Sequence, residues 1–186
     1  MPRNLEIKAA LRDRAAAMAV AARLADSGPE VTFQEDVFFP CEDARLKLRT
    51  VHSSSGAAPQ GELIRYRRDD LAEVRCSNYS IARTPDPQIL RDILSGTLGV
   101  IGIIKKTRTL YLAGQTRIHI DRVEGLGDFL EFEVVLRENQ SEDDGKHIAK
   151  HLLADFGIDA RDLIAEAYVD LLRLKRVSSS QLHSPK

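Results

Sequence analysis

The sequence has few cysteines, no long apolar run and almost no net charge, and each shortage excludes a class of protein. Its two cysteines, Cys41 and Cys76, are not spaced as metal ligands, so we expect free thiols in a reducing compartment. No apolar run is long enough to span a bilayer, and the first residues lack the apolar core of a signal peptide. We therefore expect a cytoplasmic protein with no membrane partner.

The balance of charges bears on nucleic-acid binding. The formal net charge is −1 and the calculated pI is about 6.5. Proteins that hold DNA or RNA by general electrostatic attraction usually carry a clear excess of basic residues. We therefore expect no nucleic-acid partner, although bases could still be concentrated inside the protein.

Length and composition fit one folded domain, because 186 residues with 43% hydrophobic and 30% charged side chains can form a sizeable core. We expect this domain to occupy residues 1–176. Residues 177–186 contain few apolar side chains, and we expect a disordered tail there.

Charged and apolar residues alternate in several segments, and this alternation is the main structural signal. In Thr116–Leu136, two such segments are joined by a glycine turn, as in a β-hairpin. Side chains two residues apart share a face of a strand, so each strand has one apolar face and one ionic face. The ionic faces along the chain are Glu6/Lys8, Lys47/Arg49, Arg65/Arg67, Lys106/Arg108, Arg117/His119/Asp121 and Glu131/Glu133.

Four segments are predicted to be helical from their apolar stripes and their capping residues. They are Asp13–Asp26, a helix that begins at Thr84-Pro85, Ser141–Phe156, and a segment from Asp159 to about Leu172.

Two arrangements of the strands differ in which face is buried. A sandwich would bury the apolar faces and leave the ions in water, whereas a barrel with a polar lumen would hold the ions inside. The aliphatic helices could cover the apolar outside of such a barrel. We therefore favour an α+β fold with an antiparallel β-tunnel and helices packed outside, and a structural barrel with solvated charges is the alternative.

A charged lumen constrains its ligand, because buried charges are tolerated only when they are paired or occupied. Bases outnumber acids in the predicted lumen, which indicates a multiply charged anion as the missing partner. Arginine forks match phosphate oxygens, and carboxylates can hold a divalent cation that also binds phosphates. A triphosphate with Mg²⁺ or Mn²⁺ fits both sets. The candidate inward bases are Lys8, Lys47, Arg49, Arg67, Arg75, Lys106, Arg108 and Arg117, and the candidate inward acids are Glu6, Asp121, Glu131 and Glu133.

Several motifs follow one another along the chain in a distinctive order. They are Leu5-Glu6-Ile7-Lys8, Leu46-Lys47-Leu48-Arg49, Glu62–Arg67, Lys105–Arg108, Asp121–Glu133 and Ala167–Leu172. With them the sequence resembles the CYTH superfamily, the triphosphate tunnel metalloenzymes, which include class IV adenylate cyclases, thiamine triphosphatases and inorganic triphosphatases. The resemblance extends from about Asn4 to Leu172. The turn Gly125-Leu126-Gly127 makes the hairpin motif one residue longer, as in cyclase-type members.

The resemblance implies an eight-stranded antiparallel tunnel that binds a triphosphate together with Mg²⁺ or Mn²⁺. The implied metal ligands are Glu6, Glu131 and Glu133, with Asp121 beside them and Asn4 as a further candidate. The implied phosphate-binding residues are Lys8, Lys47, Arg49, Arg67, Arg75, Lys106, Arg108 and Arg117. Within these sets, the catalytic candidates are Lys8, Arg49 and Asp121.

The resemblance also implies an enzyme, with ATP, thiamine triphosphate or tripolyphosphate as the substrate. We favour a reaction like that of class IV adenylate cyclases, in which ATP gives cyclic AMP and pyrophosphate. Hydrolysis of the triphosphate is the alternative. The oligomeric state stays open, a homodimer included.

One residue departs from the family's amino-terminal signature, Glu-x-Glu-x-Lys, because this chain has Asn4-Leu5-Glu6-Ile7-Lys8. Asparagine offers a neutral oxygen but no charge, so we expect weaker metal binding. A non-catalytic module that binds polyphosphate or a nucleotide is therefore the alternative from a different functional class.

Overall fold

One curled antiparallel β-sheet forms the body of the protein in a computed structural model that describes residues 3–53, 56–67, 75–76 and 78–181. Eight of its strands have seven residues or more, and β5 has two. The strands are β1 (Arg3–Ala10), β2 (Ser27–Phe39), β3 (Arg45–Ser53), β4 (Gln60–Arg67), β5 (Arg75–Cys76), β6 (Asn78–Thr84), β7 (Gly102–Ala113), β8 (Thr116–Val123) and β9 (Gly127–Leu136).

The strand order β5-β1-β9-β8-β7-β2-β3-β4-β6 brings the two ends of the sheet together. At one end β5 pairs with β1, and at the other end β6 pairs with β4. Because β5 ends at Cys76 and β6 begins at Asn78, one short stretch of chain serves both ends of the sheet. The predicted antiparallel β-tunnel is confirmed.

Four helices accompany the sheet: α1 (Arg14–Leu24), α2 (Pro87–Leu98), α3 (Glu142–Asp155) and α4 (Tyr168–Gln181). Asp13 caps α1 by accepting a hydrogen bond from the Ala16 N–H, and Ser141 caps α3 by accepting one from the Asp144 N–H. Within the described part of the chain, none of these helices is long and apolar enough to cross a membrane.

The second predicted helix begins later than expected. Thr84 does not act as its N-cap, because the Thr84 hydroxyl accepts a hydrogen bond from the Asp86 N–H and forms a turn ahead of the helix. The helix then begins at Pro87 rather than at Pro85.

The last predicted helix is also placed differently. A short 3₁₀ helix, Ala160–Asp162, follows Asp159, and Tyr168 begins α4 instead of lying near the end of a helix. Helix α4 continues to Gln181, so helical backbone extends into the segment predicted as a disordered tail. Residues 182–186 lie outside the described residues.

The apolar faces of the strands point outward and are covered by the helices. The cluster beneath α1 and α3 contains Ile7, Ala17, Ala21, Tyr111, Ile118, Ile120, Leu130, Phe132 and Leu152. The cluster beneath α2 contains Val37, Phe39 and Leu48, packed against Leu46, Leu63, Leu90, Leu94 and Ile103. Because side chains alternate across a strand, this packing leaves the predicted ionic faces on the concave side, except for Arg65/Arg67, which lies outside.

The start of α4 lies across one end of the tunnel. Ala167 and Tyr168 line the lumen, and Ala167 and Val169 pack in a buried cluster with Phe38 of β2 and Ile104 of β7. We call this end the floor of the tunnel and the opposite end its mouth.

Gly145 allows α3 to approach the sheet closely. A Cβ atom placed there would lie 2.5 Å from Leu5 Cδ1 and 2.6 Å from Leu136 Cδ2, and both leucines are buried. We expect Gly145→Ala to lower the free energy of unfolding by about 1–3 kcal/mol, because overpacking outweighs the gain in helix propensity. Urea unfolding measures the difference.

Gly96 of α2 provides the matched control, because a Cβ atom there would meet nothing within 4 Å. Gly96→Ala should raise the free energy of unfolding by up to about 1 kcal/mol. A Gly145→Ala variant as stable as Gly96→Ala would show that α3 shifts away from the sheet at little cost.

Candidate functional site

The concave face of the sheet encloses a cavity of about 610 Å³ that is lined by charged side chains. Most of the predicted site residues lie there, because they occupy the inward positions of their strands. Those that line the cavity are Asn4, Glu6, Lys8, Lys47, Arg49, Lys106, Arg108, Arg117, Glu131 and Glu133. Arg75 lies opposite Glu6 in the β1–β5 pairing, and its side chain lies outside the described part of the protein.

Asp36 of β2 holds two of the bases, Lys47 and Arg49 of β3. Arg49 donates from Nε to Oδ1 at 2.7 Å and from Nη2 to Oδ2 at 2.8 Å, and Lys47 Nζ donates to Oδ2 at 2.8 Å. The strand register places Asp36 directly opposite Arg49. Because Asp36 is buried and its contact with Arg49 is bidentate, the guanidinium is fixed in orientation. We call Asp36, Lys47 and Arg49 the β3 clamp.

The same arrangement recurs one pair of strands away. Arg108 of β7 donates to Asp121 of β8 from Nε and from Nη2, both at 2.7 Å, and Lys106 Nζ donates to the same carboxylate at 2.8 Å. Asp121 lies directly opposite Arg108 and is 0% exposed. The Tyr168 hydroxyl also donates to Asp121, at 3.2 Å. We call Asp121, Lys106 and Arg108 the β7 clamp.

The charges in each clamp shift the pKa values of their partners. Burial by itself would raise the pKa of Asp36, but Arg49 and Lys47 hold that pKa well below its usual value. Burial and the charge of Arg49 lower the pKa of Lys47 to about 8. Burial and the charge of Arg108 likewise lower the pKa of Lys106. The aspartates therefore stay ionised. The charged form of each lysine is destabilised by its surroundings, and a bound anion would stabilise it.

Lys8 lies near the floor and is 4% exposed. Its ammonium group donates to the Glu166 carbonyl oxygen and lies 4.5 Å from the centroid of the Tyr168 ring. Lys106 Nζ lies 5.2 Å from the same ring. Glu166, just before α4, and Tyr168, its first residue, therefore contribute a carbonyl group and an aromatic face to the placement of lumen lysines.

Asn4, Glu6 and Glu133 present oxygen atoms nearer the mouth. Glu6 of β1 is directly opposite Glu133 of β9, and Glu133 Oε1 accepts hydrogen bonds from Asn4 Nδ2 and from Arg117 Nη1. Asn4 is buried, and its Oδ1 has no hydrogen-bond partner among the described residues. An unsatisfied oxygen beside two carboxylates fits the all-oxygen coordination of Mg²⁺ or Mn²⁺, so these three residues fit a divalent cation.

The other two predicted metal ligands both pair with Arg108 of the β7 clamp. Asp121 belongs to the β7 clamp, and Glu131 accepts a hydrogen bond from Arg108 at 2.6 Å, with His119 Nδ1 3.8 Å from it. Over the described ranges, no three His, Cys, Asp or Glu side chains are arranged as a metal site. The structure therefore divides the predicted carboxylates into two separate groups.

Arg67 does not lie in the lumen, and its predicted inward position is corrected. It is 61% exposed and pairs with Asp43 on the outer surface. Leu63 packs beneath α2, and this contact turns the odd-numbered residues of β4 outward. The residues of β4 that line the lumen are Glu62, Ile64 and Tyr66.

Several lumen residues were not among the predicted site residues. They are Glu30, Thr32, Gln34 and Asp36 of β2, Glu62 of β4 and Arg83 of β6. The signal that could have found the first four is the same spacing of two that identified the other strands. The aromatic and β-branched residues of β2 indicated a strand without indicating an ionic face.

With these residues included, the described lumen has as many acids as bases, and the predicted excess of bases is corrected. The bases are Lys8, Lys47, Arg49, Arg83, Lys106, Arg108 and Arg117. The acids are Glu6, Glu30, Asp36, Glu62, Glu131 and Glu133, with Asp121 buried beside Arg108. What distinguishes the lumen is therefore where the charges lie.

The deep part of the lumen is basic and the mouth is acidic. The two clamps, Lys8 and Glu131 place five bases and three acids at depth. Toward the mouth, Arg117 is 46% exposed and accompanies Glu6, Glu30 and Glu133, while Glu62 pairs with the exposed Arg83 and is directly opposite Arg49. A ligand with an anionic part and a bound cation would match this order.

The fold and the site together define a β-tunnel protein with bases at depth and carboxylates toward the mouth. The chain belongs to the CYTH domain family, whose model matches residues 2–168. No curated protein matches the sequence.

Solved structures share this fold at low sequence identity. The PH1012 protein of Pyrococcus horikoshii OT3 has a TM-score of 0.75 and 22% identity, over 91% of this chain and 99% of that one. A candidate adenylate cyclase of Vibrio parahaemolyticus has a TM-score of 0.74 and 18% identity, over 91% and 97%. HpAC1 of Hippeastrum has a TM-score of 0.66 and 13% identity, over 94% and 96%. At these identities the likeness shows the fold alone.

Lys47 is a clamp base that changes its protonation near neutral pH. Its pKa in the folded protein is about 8, below the ordinary 10.5, so Lys47 is charged at lower pH and loses its proton as the pH rises through that value. We expect the affinity for tripolyphosphate to fall over the same range. Lys47→Arg should remove this step, because arginine stays protonated.

Calorimetric titration with tripolyphosphate at a series of pH values measures the step. Lys105→Arg is the control, because Lys105 pairs with Glu35 and is not among the residues that line the cavity. An unchanged pH dependence in Lys47→Arg would assign the step to another group.

Proposed function

We propose that this protein is a metal-dependent enzyme that acts on a triphosphate inside the tunnel. The observation that carries the proposal is the segregation of charge, with two aspartate-held pairs of bases at depth and three oxygen donors nearer the mouth. A triphosphate with its bound divalent cation carries complementary charges in the same order.

The two clamps would bind the phosphate groups. A guanidinium has five N–H groups, of which Arg49 gives two to Asp36 and Arg108 gives three to Asp121 and Glu131. The remaining N–H groups of both guanidinium groups are therefore already oriented before a ligand binds. Preorganised donors stabilise charge that develops on phosphoryl oxygens, because they need no reorganisation during the reaction.

Asn4, Glu6 and Glu133 would hold Mg²⁺ or Mn²⁺. The chemistry that such a cation supplies is neutralisation of phosphate charge and polarisation of a phosphoryl group. The tunnel's own contribution is to orient the phosphates between the clamps and the mouth, and to limit the access of water to the deep phosphates.

Two reactions fit such a site. In the first, the ribose 3′-oxygen of ATP attacks the α-phosphorus and pyrophosphate leaves. In the second, water attacks the γ-phosphorus, the bond to the β–γ bridging oxygen breaks, and phosphate and the diphosphate are released. The Vibrio neighbour is named as a candidate adenylate cyclase, and HpAC1 is described as a candidate adenylyl cyclase with a dominant triphosphatase activity. We place cyclisation first because of the cyclase-type turn Gly125-Leu126-Gly127, and hydrolysis second because of HpAC1.

Product analysis separates these reactions. Phosphate, pyrophosphate and cyclic AMP are measured after incubation with ATP, thiamine triphosphate or tripolyphosphate and Mg²⁺ or Mn²⁺. Cyclic AMP with pyrophosphate from ATP supports the cyclase, and phosphate release supports the hydrolase. Tight binding of tripolyphosphate without turnover under either metal would contradict the enzyme and support a binding module.

Arg49 and Arg67 give a matched pair of variants. The sequence predicts both as phosphate-binding, but Arg49 lines the cavity whereas Arg67 is exposed and pairs with Asp43. We expect Arg49→Ala to weaken tripolyphosphate binding by about 2 kcal/mol or more, which is roughly thirtyfold. Arg67→Ala should change it less than about twofold, since an exposed ion pair contributes little. Calorimetry measures both, and equal losses would contradict this placement.

Asn4→Asp tests the metal position, because it adds a third carboxylate beside Glu6 and Glu133. We expect a lower Tm without metal, from repulsion between like charges, and a larger rise in Tm with Mn²⁺ than in the wild type. Each kcal/mol corresponds to about 2–4 °C in a protein of this size. Asn139→Asp, at an exposed turn, is the control. Equal Mn²⁺-induced shifts in the Asn4→Asp and wild-type proteins would remove Asn4 from the metal site.

A further inference from the structure

Helix α2 carries an apolar strip that stays exposed in the described structure. Ile89 and Ile93, one helical turn apart, are 61% and 58% exposed, whereas Leu90 and Leu94 of the same helix pack on the sheet. The structure describes all twelve residues of α2, and none of them is fully buried, although α1 and α3 each contain buried residues. We call Ile89 and Ile93 the α2 strip. Neighbouring exposed apolar side chains of this kind commonly mark a contact with another molecule.

The α2 strip lies on the side of the helix that faces β4 and β6. Arg91 lies on the other flank, because it donates a hydrogen bond to Glu35 of β2. An α-helix turns by about 100° per residue, so Ile93 is on the flank opposite Arg91 when Leu90 and Leu94 face the sheet. The strand order β2-β3-β4-β6 then places β4 and β6 beneath the strip.

The outer face of β6 has small side chains beside this strip. Ile81 and Arg83 line the cavity, so the alternate residues Ser80 and Ala82 face outward, and both are exposed. Ala82 is directly opposite Leu63, which packs beneath α2. The α2 strip and these small residues form the two sides of a shallow groove, which we call the β6 groove.

Helix α2 runs from the mouth toward the floor, beside β4. Its first residue, Pro87, is adjacent to the start of β4, since a Cβ atom on Gly61 would lie 2.9 Å from Pro87 Cβ. Its last residue, Leu98, shortly precedes Gly102, which is opposite Phe38 near the floor. A helix that lies in the β6 groove antiparallel to α2 would therefore begin at the floor end of β4 and β6.

Charges at the floor end of β4 complement the start of such a helix. Arg65 and Arg67 lie on the outer surface there and share one carboxylate, Asp43, so this cluster has one positive charge in excess. Asp86, the N-cap of α2, and Asp92, in its first half, are both exposed. An antiparallel α2 from another molecule would bring these two carboxylates toward the arginines.

We propose that a second copy of this chain occupies the β6 groove, with the two α2 helices antiparallel about a two-fold axis. Each copy then lays its α2 strip over Ser80 and Ala82 of the other, and the contact between carboxylates and arginines forms twice. The second copy is the partner that fits, because α2 itself has both the apolar strip and the acidic end that the groove complements. One twelve-residue helix per copy makes a small interface, so we expect a dissociation constant in the micromolar range.

The mass of the wild-type protein in solution tests the proposal without any variant. Sedimentation equilibrium over about 1–100 µM should show a reversible change from monomer to dimer, because this range spans a micromolar dissociation constant. A monomer at every concentration would overturn the proposal and would leave the α2 strip to a different partner.

The variant Ile93→Glu tests whether the α2 strip forms the dimer. We expect the dissociation constant to rise by about thirtyfold or more, because the substitution places a charge in the apolar centre of the interface. The side chain is exposed in one copy, so the fold of each copy should be kept. Leu174→Glu on α4 is the matched control, since Leu174 is 59% exposed and outside the groove. Equal dissociation constants for Ile93→Glu and the wild type would place the dimer contact on another surface and overturn the proposal.

A charge exchange tests the antiparallel orientation. Arg65→Glu should raise the dissociation constant of the dimer by about tenfold, because Asp92 of the other copy then meets a like charge. Adding Asp92→Arg to the same chain reverses both charges in both copies and should restore the dissociation constant to within about threefold of the wild type. A double variant that dimerises as weakly as Arg65→Glu would contradict the antiparallel pairing.

Discussion

The bidentate contact between a buried aspartate and an arginine on the neighbouring strand is the interaction on which the lumen depends. Bases can remain charged inside a protein only when nearby acids offset the loss of water. Asp36 and Asp121 each do this for one lysine and one arginine, and Glu131 also pairs with Arg108, so the β3 clamp is the one that keeps a positive charge in excess of its acids. The contact between aspartate and arginine therefore stabilises the buried bases and leaves positive charge in the lumen that attracts an anion.

The clamps work only because the sheet is built with its apolar faces outward. Helices α1, α2 and α3 cover those faces, and the side chains between them must then point inward. A shift of one residue in the register of a strand would place its ions beneath a helix and its apolar residues in the lumen. Packing outside the tunnel therefore specifies the electrostatics inside it.

Alternation along single strands predicted the tunnel and most of the charged residues that line it. It could not predict the orientation of β4, because neither of its faces is uniformly apolar and the contact of Leu63 with α2 decides between them. It also could not separate the carboxylates into those that pair with the β7 clamp, Asp121 and Glu131, and those nearer the mouth, Glu6 and Glu133. That separation depends on which residues lie opposite one another, such as Arg108 with Asp121 and Glu6 with Glu133, and a single strand carries no information on its partner's register.

The start of α4 gives the described lumen a direction. Ala167 and Tyr168 line the end where Lys8 lies, and Glu6 is opposite Glu133 nearer the other end. A molecule bound through the mouth would release the part nearer the solvent before the part beside Lys8. The order of departure would then follow from the tunnel's shape, and the retained inner part would compete with the next molecule to enter.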